Sequence, residues 1–164
     1  MNVKRISLTI FLIALAVALS ACGLKFEQNP DGSTRMELTL NEAEMQTKIQ
    51  QSIKDPLVQE FHVELRDGFI EVSGTRQNVQ TGNLDSMRYR LDLGAQDGHL
   101  TAVISQVVIN DFPLQPDWLD PWNERIAENL AASGQNNPNS SFEQIVITED
   151  DVLMVWRIEP QENQ

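Results

Sequence analysis

Apolar positions along this chain fall into short alternating runs, interrupted by two stripes of helical spacing. Met36, Leu38 and Leu40 alternate with Arg35, Glu37 and Thr39, a period of two that predicts a strand. A helix start follows at once. Asn41 is a good N-cap, Glu44 stands three residues on, and Leu40 with Met45 forms a hydrophobic staple. Met45, Ile49 and Ile53 mark one narrow apolar face, and Asp55-Pro56 stops the helix. In "FHVELRDGFIEVSG", Asp67-Gly68 between alternating runs predicts a two-residue hairpin. That turn sets Leu65 opposite Ile70 and Val63 opposite Val72 on one face. A second hairpin is expected from "LDSMRYRLDL" through "GAQDG" to "HLTAVISQVVIN". Its last residues, Val107, Val108 and Ile109, are apolar on both sides, as where a second layer covers a strand. The loop "NDFPLQP" leads into a second helix, with Asp120-Pro121 as N-cap and first turn and Ser133-Gly134 at its end. Trp118, Trp122, Ile126 and Leu130 lie four apart along it. A last hairpin about Asp150-Asp151 places Ile147 opposite Met154 and Ile145 opposite Trp156, with Val146 and Val155 on the other side.

These elements predict an α+β domain: a curved antiparallel sheet of six or seven strands with two amphipathic helices packed on one face. Trp118, Trp122 and Trp156 are expected to share its core.

The N-terminal residues follow another logic. Lys4 and Arg5 precede an apolar run from Ile6 to Leu19, shorter than the roughly 20 residues of a membrane span, and small residues follow at Ser20 and Ala21. This reads as an export signal, with an uncleaved anchor as the alternative. Leu19-Ser20-Ala21-Cys22 resembles the lipobox of bacterial lipoprotein signal peptides. The resemblance implies a diacylglyceryl thioether on Cys22 Sγ, cleavage before Cys22 and an amine open to acylation. Cys22 is the only cysteine of the chain, so it has no intrachain disulfide partner. Gly23, where an aspartate is absent, resembles the outer-membrane sorting preference of some diderm bacteria. The expected organisation is a signal peptide at 1–21, a lipidated N-terminus and short linker at 22–34, one domain at 35–158 and a polar tail at 159–164. The expected location is the bacterial cell envelope, on the outer membrane or the outer face of the plasma membrane.

Charge narrows the partners. Loss of Lys4 and Arg5, with no acid, takes the formal net charge from −12 to −14. Such a surface repels nucleic acid and anionic headgroups, so the membrane is to be held by lipid on Cys22.

Candidate chemistry is sparse. On the polar face of the first hairpin Glu64 opposes Glu71 beside His62, a destabilising pair that could hold a divalent cation. The spacing matches no dedicated metal motif, however, and Arg66 is at hand to relieve the repulsion. A solvated face without metal is the expectation. There is no Gly-x-Ser-x-Gly elbow, no phosphate-cradling glycine loop and no His-Glu-x-x-His, so neither a catalytic residue nor a cofactor is assigned.

The order of elements, with "DGHLTAVISQVVINDFPLQPDWLDPWNERIAENL" as strand, turn and helix before a last hairpin, resembles small membrane-anchored bacterial domains of the YpmS and YceB kind. More remotely it is similar to tubular lipid-binding modules. The resemblance implies an apolar groove between helix and curved sheet that binds a lipid or other apolar molecule. Met87, Tyr89, Leu91, Ile104, Trp118 and Trp122 are the candidates for lining it. The rival expectation is an interaction lipoprotein that docks a protein partner through its acidic surface.

Overall fold

Two antiparallel sheets and two helices make up residues 23–53, 55–134 and 139–160, the part of the chain described by this computed structural model. In chain order these are β1 (Leu24–Gln28), β2 (Thr34–Asn41), α1 (Glu42–Ser52), β3 (Val58–Arg66), β4 (Phe69–Gln77), β5 (Leu84–Gln96), β6 (His99–Ile109) and β7 (Phe112–Pro113). A 3-10 turn (Pro116–Trp118), α2 (Asp120–Gly134), β8 (Ser140–Ile147) and β9 (Asp151–Ile158) complete the order. The α+β class stands, but the single sheet of six or seven strands does not. The strands form a four-stranded sheet, β1-β2-β9-β8, and a five-stranded sheet, β3-β4-β5-β6-β7. The C-terminal hairpin joins β2 through β9 instead of extending the central meander.

Local chemistry explains most elements. The capping box of α1 is complete: Asn41 Oδ1 accepts from Glu44 N, and Asn41 N donates to Glu44 Oε2, both at 3.0 Å. The β3–β4 register is that expected from Asp67-Gly68, with Leu65 opposite Ile70, Val63 opposite Val72 and Glu64 opposite Glu71. The last hairpin differs from expectation by two residues in register. Ile147 faces Val152 and Ile145 faces Met154, because Thr148 and Asp151, not the residues one step later, close the turn. Thr148 Oγ1 accepts from the amides of Asp150 and Asp151 and so moves the turn one position earlier.

The expected linker also needs correction. Residues 24–28 pair along β2, and Gly23 O accepts from Thr39 N at 3.0 Å. Gly23 has φ +54°, and a Cβ there would collide with the Thr39 carbonyl oxygen, so glycine is the residue this close approach admits. The run "LKFEQ" is too short and too polar to announce a strand by itself.

One core joins the sheets: Leu40, Met45, Ile147 and Val152 meet Val63, Leu65, Ile70 and Val72. The turns of the second sheet dock on β8, with Gly68 N donating to Ile147 O and Phe142 N donating to Gly98 O at 2.7 Å. The helices do not cover one face as expected. They flank opposite edges of the five-stranded sheet, α1 along β3 and α2 along β6. Nor do the tryptophans share a core. Trp118 is 64% and Trp122 45% exposed, while Leu119 between them is 4% exposed. The 3-10 turn ending at Trp118 breaks the helical stripe and gives Leu119 the inward position. Trp156 packs edge-on against Phe142, with centroids 5.1 Å apart.

Candidate functional site

A sheet edge presents unpaired backbone groups, and the two edges of the five-stranded sheet are treated differently. Along β3, side chains of α1 take the outward amides: Leu65 N donates to Glu42 Oε2 at 3.0 Å and Val63 N to Gln46 Oε1 at 3.3 Å. On the opposite edge β7 pairs only with Val108 and Ile109. Further along β6, Asn123 of α2 holds a single residue from both sides. Ile104 N donates to Asn123 Oδ1 at 2.7 Å, and Asn123 Nδ2 donates to Ile104 O at 3.0 Å.

In an antiparallel strand, outward and inward backbone groups alternate residue by residue. Since Ile104 points its amide and carbonyl away from β5, Ala102 and Leu100 do the same. Among the described residues nothing pairs with those groups.

Between this stretch of edge and α2 lies a groove of about 680 Å³. Leu100, Ala102 and Val103 form one wall, Ala127 and Ala131 the other, and Asn123 closes one end where it grips Ile104. Helical spacing explains the second wall. Asn123, Ala127 and Ala131 are four apart, so they share one face of α2, and alanine leaves that face without bulk. The ionisable residues of the lining are Asp97, His99 and Glu124, with no lysine or arginine among them.

The six residues expected to line a ligand site are not brought together. Met87 and Tyr89 border a gap of about 20 Å³ beside Ile53, Val58 and Phe61, room for about one water. Burial pushes the Tyr89 phenol up to about 12. Leu91 packs against the core opposite Ile70. Ile104 pairs with Leu91 and is fixed by Asn123, and Trp118 and Trp122 face solvent. Sequence reasoning missed the groove because it followed the tryptophan stripe. The adjoining Asn123-Ala127-Ala131 stripe was the available signal.

A second hollow of about 440 Å³ lies at the β3–β4–β5 surface, where Glu60, His62, Ser73, Arg88 and Asp111 contribute polar groups. His62 stands opposite Ser73 in register, but among the described residues no hydrogen bond joins them. Arg66 Nη2 lies 2.8 Å from Glu64 Oε1, the relief expected for the Glu64–Glu71 pair. Among the described residues no group of three or more His, Cys, Asp or Glu side chains is placed to hold a metal ion, and no helix is long and apolar enough to cross a membrane. Cys22 and the expected signal lie outside the described residues. Comparison with known proteins finds no matching family model and no matching curated protein.

Proposed function

We propose that this chain is a lipid-anchored protein of the bacterial envelope whose folded part is a binding module, taking an elongated ligand with apolar groups between α2 and β6. The groove carries the reading. Its volume of about 680 Å³ falls in the range of small-ligand sites, and apolar side chains stand on both walls. Elongated and partly apolar describes an acyl chain, as the likeness to small anchored bacterial domains implies, and an extended peptide equally. No catalytic step is part of the proposal.

Anchorage rests on the lipobox-like sequence ending at Cys22. The pairing of β1 with β2 adds that a lipid on Cys22 holds the domain close to its membrane, since the next residue is already bonded to Thr39. Cys22→Ser is expected to stop maturation and detergent-phase partitioning. A variant that still processes and partitions normally overturns the anchor.

The groove is tested with two fluorescent probes on the purified full chain, a labelled fatty acid and a labelled nonapeptide of alternating lysine and valine. Binding of at least one, lost in Ala127→Trp with an unchanged melting temperature, is the expected result. Binding of neither, or binding that Ala127→Trp leaves intact, overturns the groove reading.

A further inference from the structure

Resting on the groove reading above, we infer that the natural occupant is an extended, basic polypeptide segment that adds to the five-stranded sheet as a new strand beside Leu100 and Ala102. Backbone chemistry separates this occupant from a lipid. The walls are apolar, but the floor is a strand edge whose outward amides and carbonyls have no partner among the described residues. An acyl chain laid there takes those groups from water and returns no hydrogen bond, which is unfavourable for each of them. An extended peptide returns a donor and an acceptor at every second residue, which is the chemistry of strand addition.

The dimensions agree. His99 to Val103 spans about 16 Å at the rise of a strand, enough to pair four or five residues. Asn123 limits the open stretch at Ile104, so a peptide finds that end closed. On the facing wall, Ala127 and Ala131 add little bulk.

Charge selects among peptides. Asp97 and Glu124 border the groove, neither lysine nor arginine does, and the chain as a whole carries −12. A segment with lysine or arginine is attracted and an acidic one repelled. The same charges disfavour a second copy of this chain, whose β6 edge would bring Asp97 and Glu124 against their own kind.

The test uses the lysine–valine nonapeptide, its glutamate–valine counterpart, and a version N-methylated through its five central residues, each titrated by fluorescence anisotropy against the full chain. The lysine–valine peptide is expected to bind, and each of the other two to lose about tenfold or more in affinity. Ala102→Pro removes the outward amide donor at Ala102 but spares the ladder to β5, since proline is tolerated where its nitrogen faces away from the partner strand. It is expected to weaken the lysine–valine peptide about tenfold or more. Should Ala102→Pro fail to fold, Ala127→Trp, at an exposed helix position, closes the groove instead. No binding of the lysine–valine peptide, or equal binding of its N-methylated form, overturns strand addition. Fatty acid uptake that Ala127→Trp abolishes, with no peptide binding, leaves the groove reading in place and rejects the peptide. Failure of both probes rejects both.

Discussion

At β3 the helix takes up the outward amides of the sheet edge; at β6 a groove remains between helix and edge. The two edges thus use the same device, a helix whose side chains take outward backbone groups, to different degrees. α1 brings Met45, 4% exposed, into the core and places Glu42 and Gln46 on two successive outward amides. Among the described residues α2 places Asn123 on Ile104 and turns alanines to the groove beside it. The difference lies in side-chain volume. Where α1 has Met45 and Ile49 facing the core, the groove wall of α2 has Ala127 and Ala131, and a groove remains. An edge closed this way is structural; an edge held open beside a helix is a place where another strand fits.

The largest effect expected from this contrast is on stability. Met45→Ala removes a buried side chain from the joint core and is expected to cost about 2–5 kcal/mol in urea denaturation. Trp122→Ala on α2, at a side chain 45% exposed, is expected to cost about 1 kcal/mol despite its greater size. Equal costs would show that α2 is seated as firmly as α1 and would remove the physical basis for the open groove.

Next in size is the single clasp. Asn123→Ala leaves the Ile104 amide and carbonyl without their partner and is expected to cost about 1–3 kcal/mol. The change also spreads to the neighbouring edge, so amide hydrogen exchange at Ile104 is expected to rise toward that of Ala102 and Leu100 in the parent. In the parent, Leu65, whose amide bonds Glu42, is expected to exchange far more slowly than Ala102. Fast exchange at Leu65, or strong protection at Ala102, contradicts the contrast directly.

Much of the sealed side was legible in the sequence, and little of the open side. Asn41 and Glu44 announce the start of α1, and Asp67-Gly68 sets the register that buries Val63, Leu65, Ile70 and Val72, because cap and turn chemistry is local. The partition into two sheets was not legible. β2 meets β9 more than a hundred residues later, and alternation tells which face is apolar, not which strand pairs with which. β1 escaped because five residues with a lysine and a glutamate carry no distinctive pattern. The groove escaped for a different reason. Its floor is unpaired backbone and its far wall is alanine, and neither stands out beside a stripe of tryptophan. Reading large apolar residues as ligand contacts led to Trp118 and Trp122, which the 3-10 turn and Leu119 leave at the surface.

The smallest expected effect concerns how each helix is fastened against acid. Just beyond α1, Asp55 accepts from Arg76 Nε of β4 at 2.8 Å and from the Leu57 amide at 2.9 Å. These bonds, the guanidinium first, hold the Asp55 carboxyl below the usual aspartate value. A carboxylate depressed in the folded state contributes stability that is fully present above the unfolded value near 4 and is lost as pH falls through its own lower value. The pair is solvent-exposed, so its contribution is small and weakened by salt. On the α2 side the clasp is the neutral amide of Asn123, which does not titrate. Acidification from pH 5 is therefore expected to loosen the exit of α1, seen as a lower protection factor at Leu57 against the intrinsic exchange rate at each pH, while the bonds of Ile104 stay as they were. Asp55→Asn should remove the acid sensitivity at Leu57 without touching Ile104. If the variant loosens with falling pH as the parent does, Asp55 is not the group that ties α1 to β4 at neutral pH, and the sealed edge owes its closure to the packing of Met45 and the bonds of Glu42 and Gln46 alone.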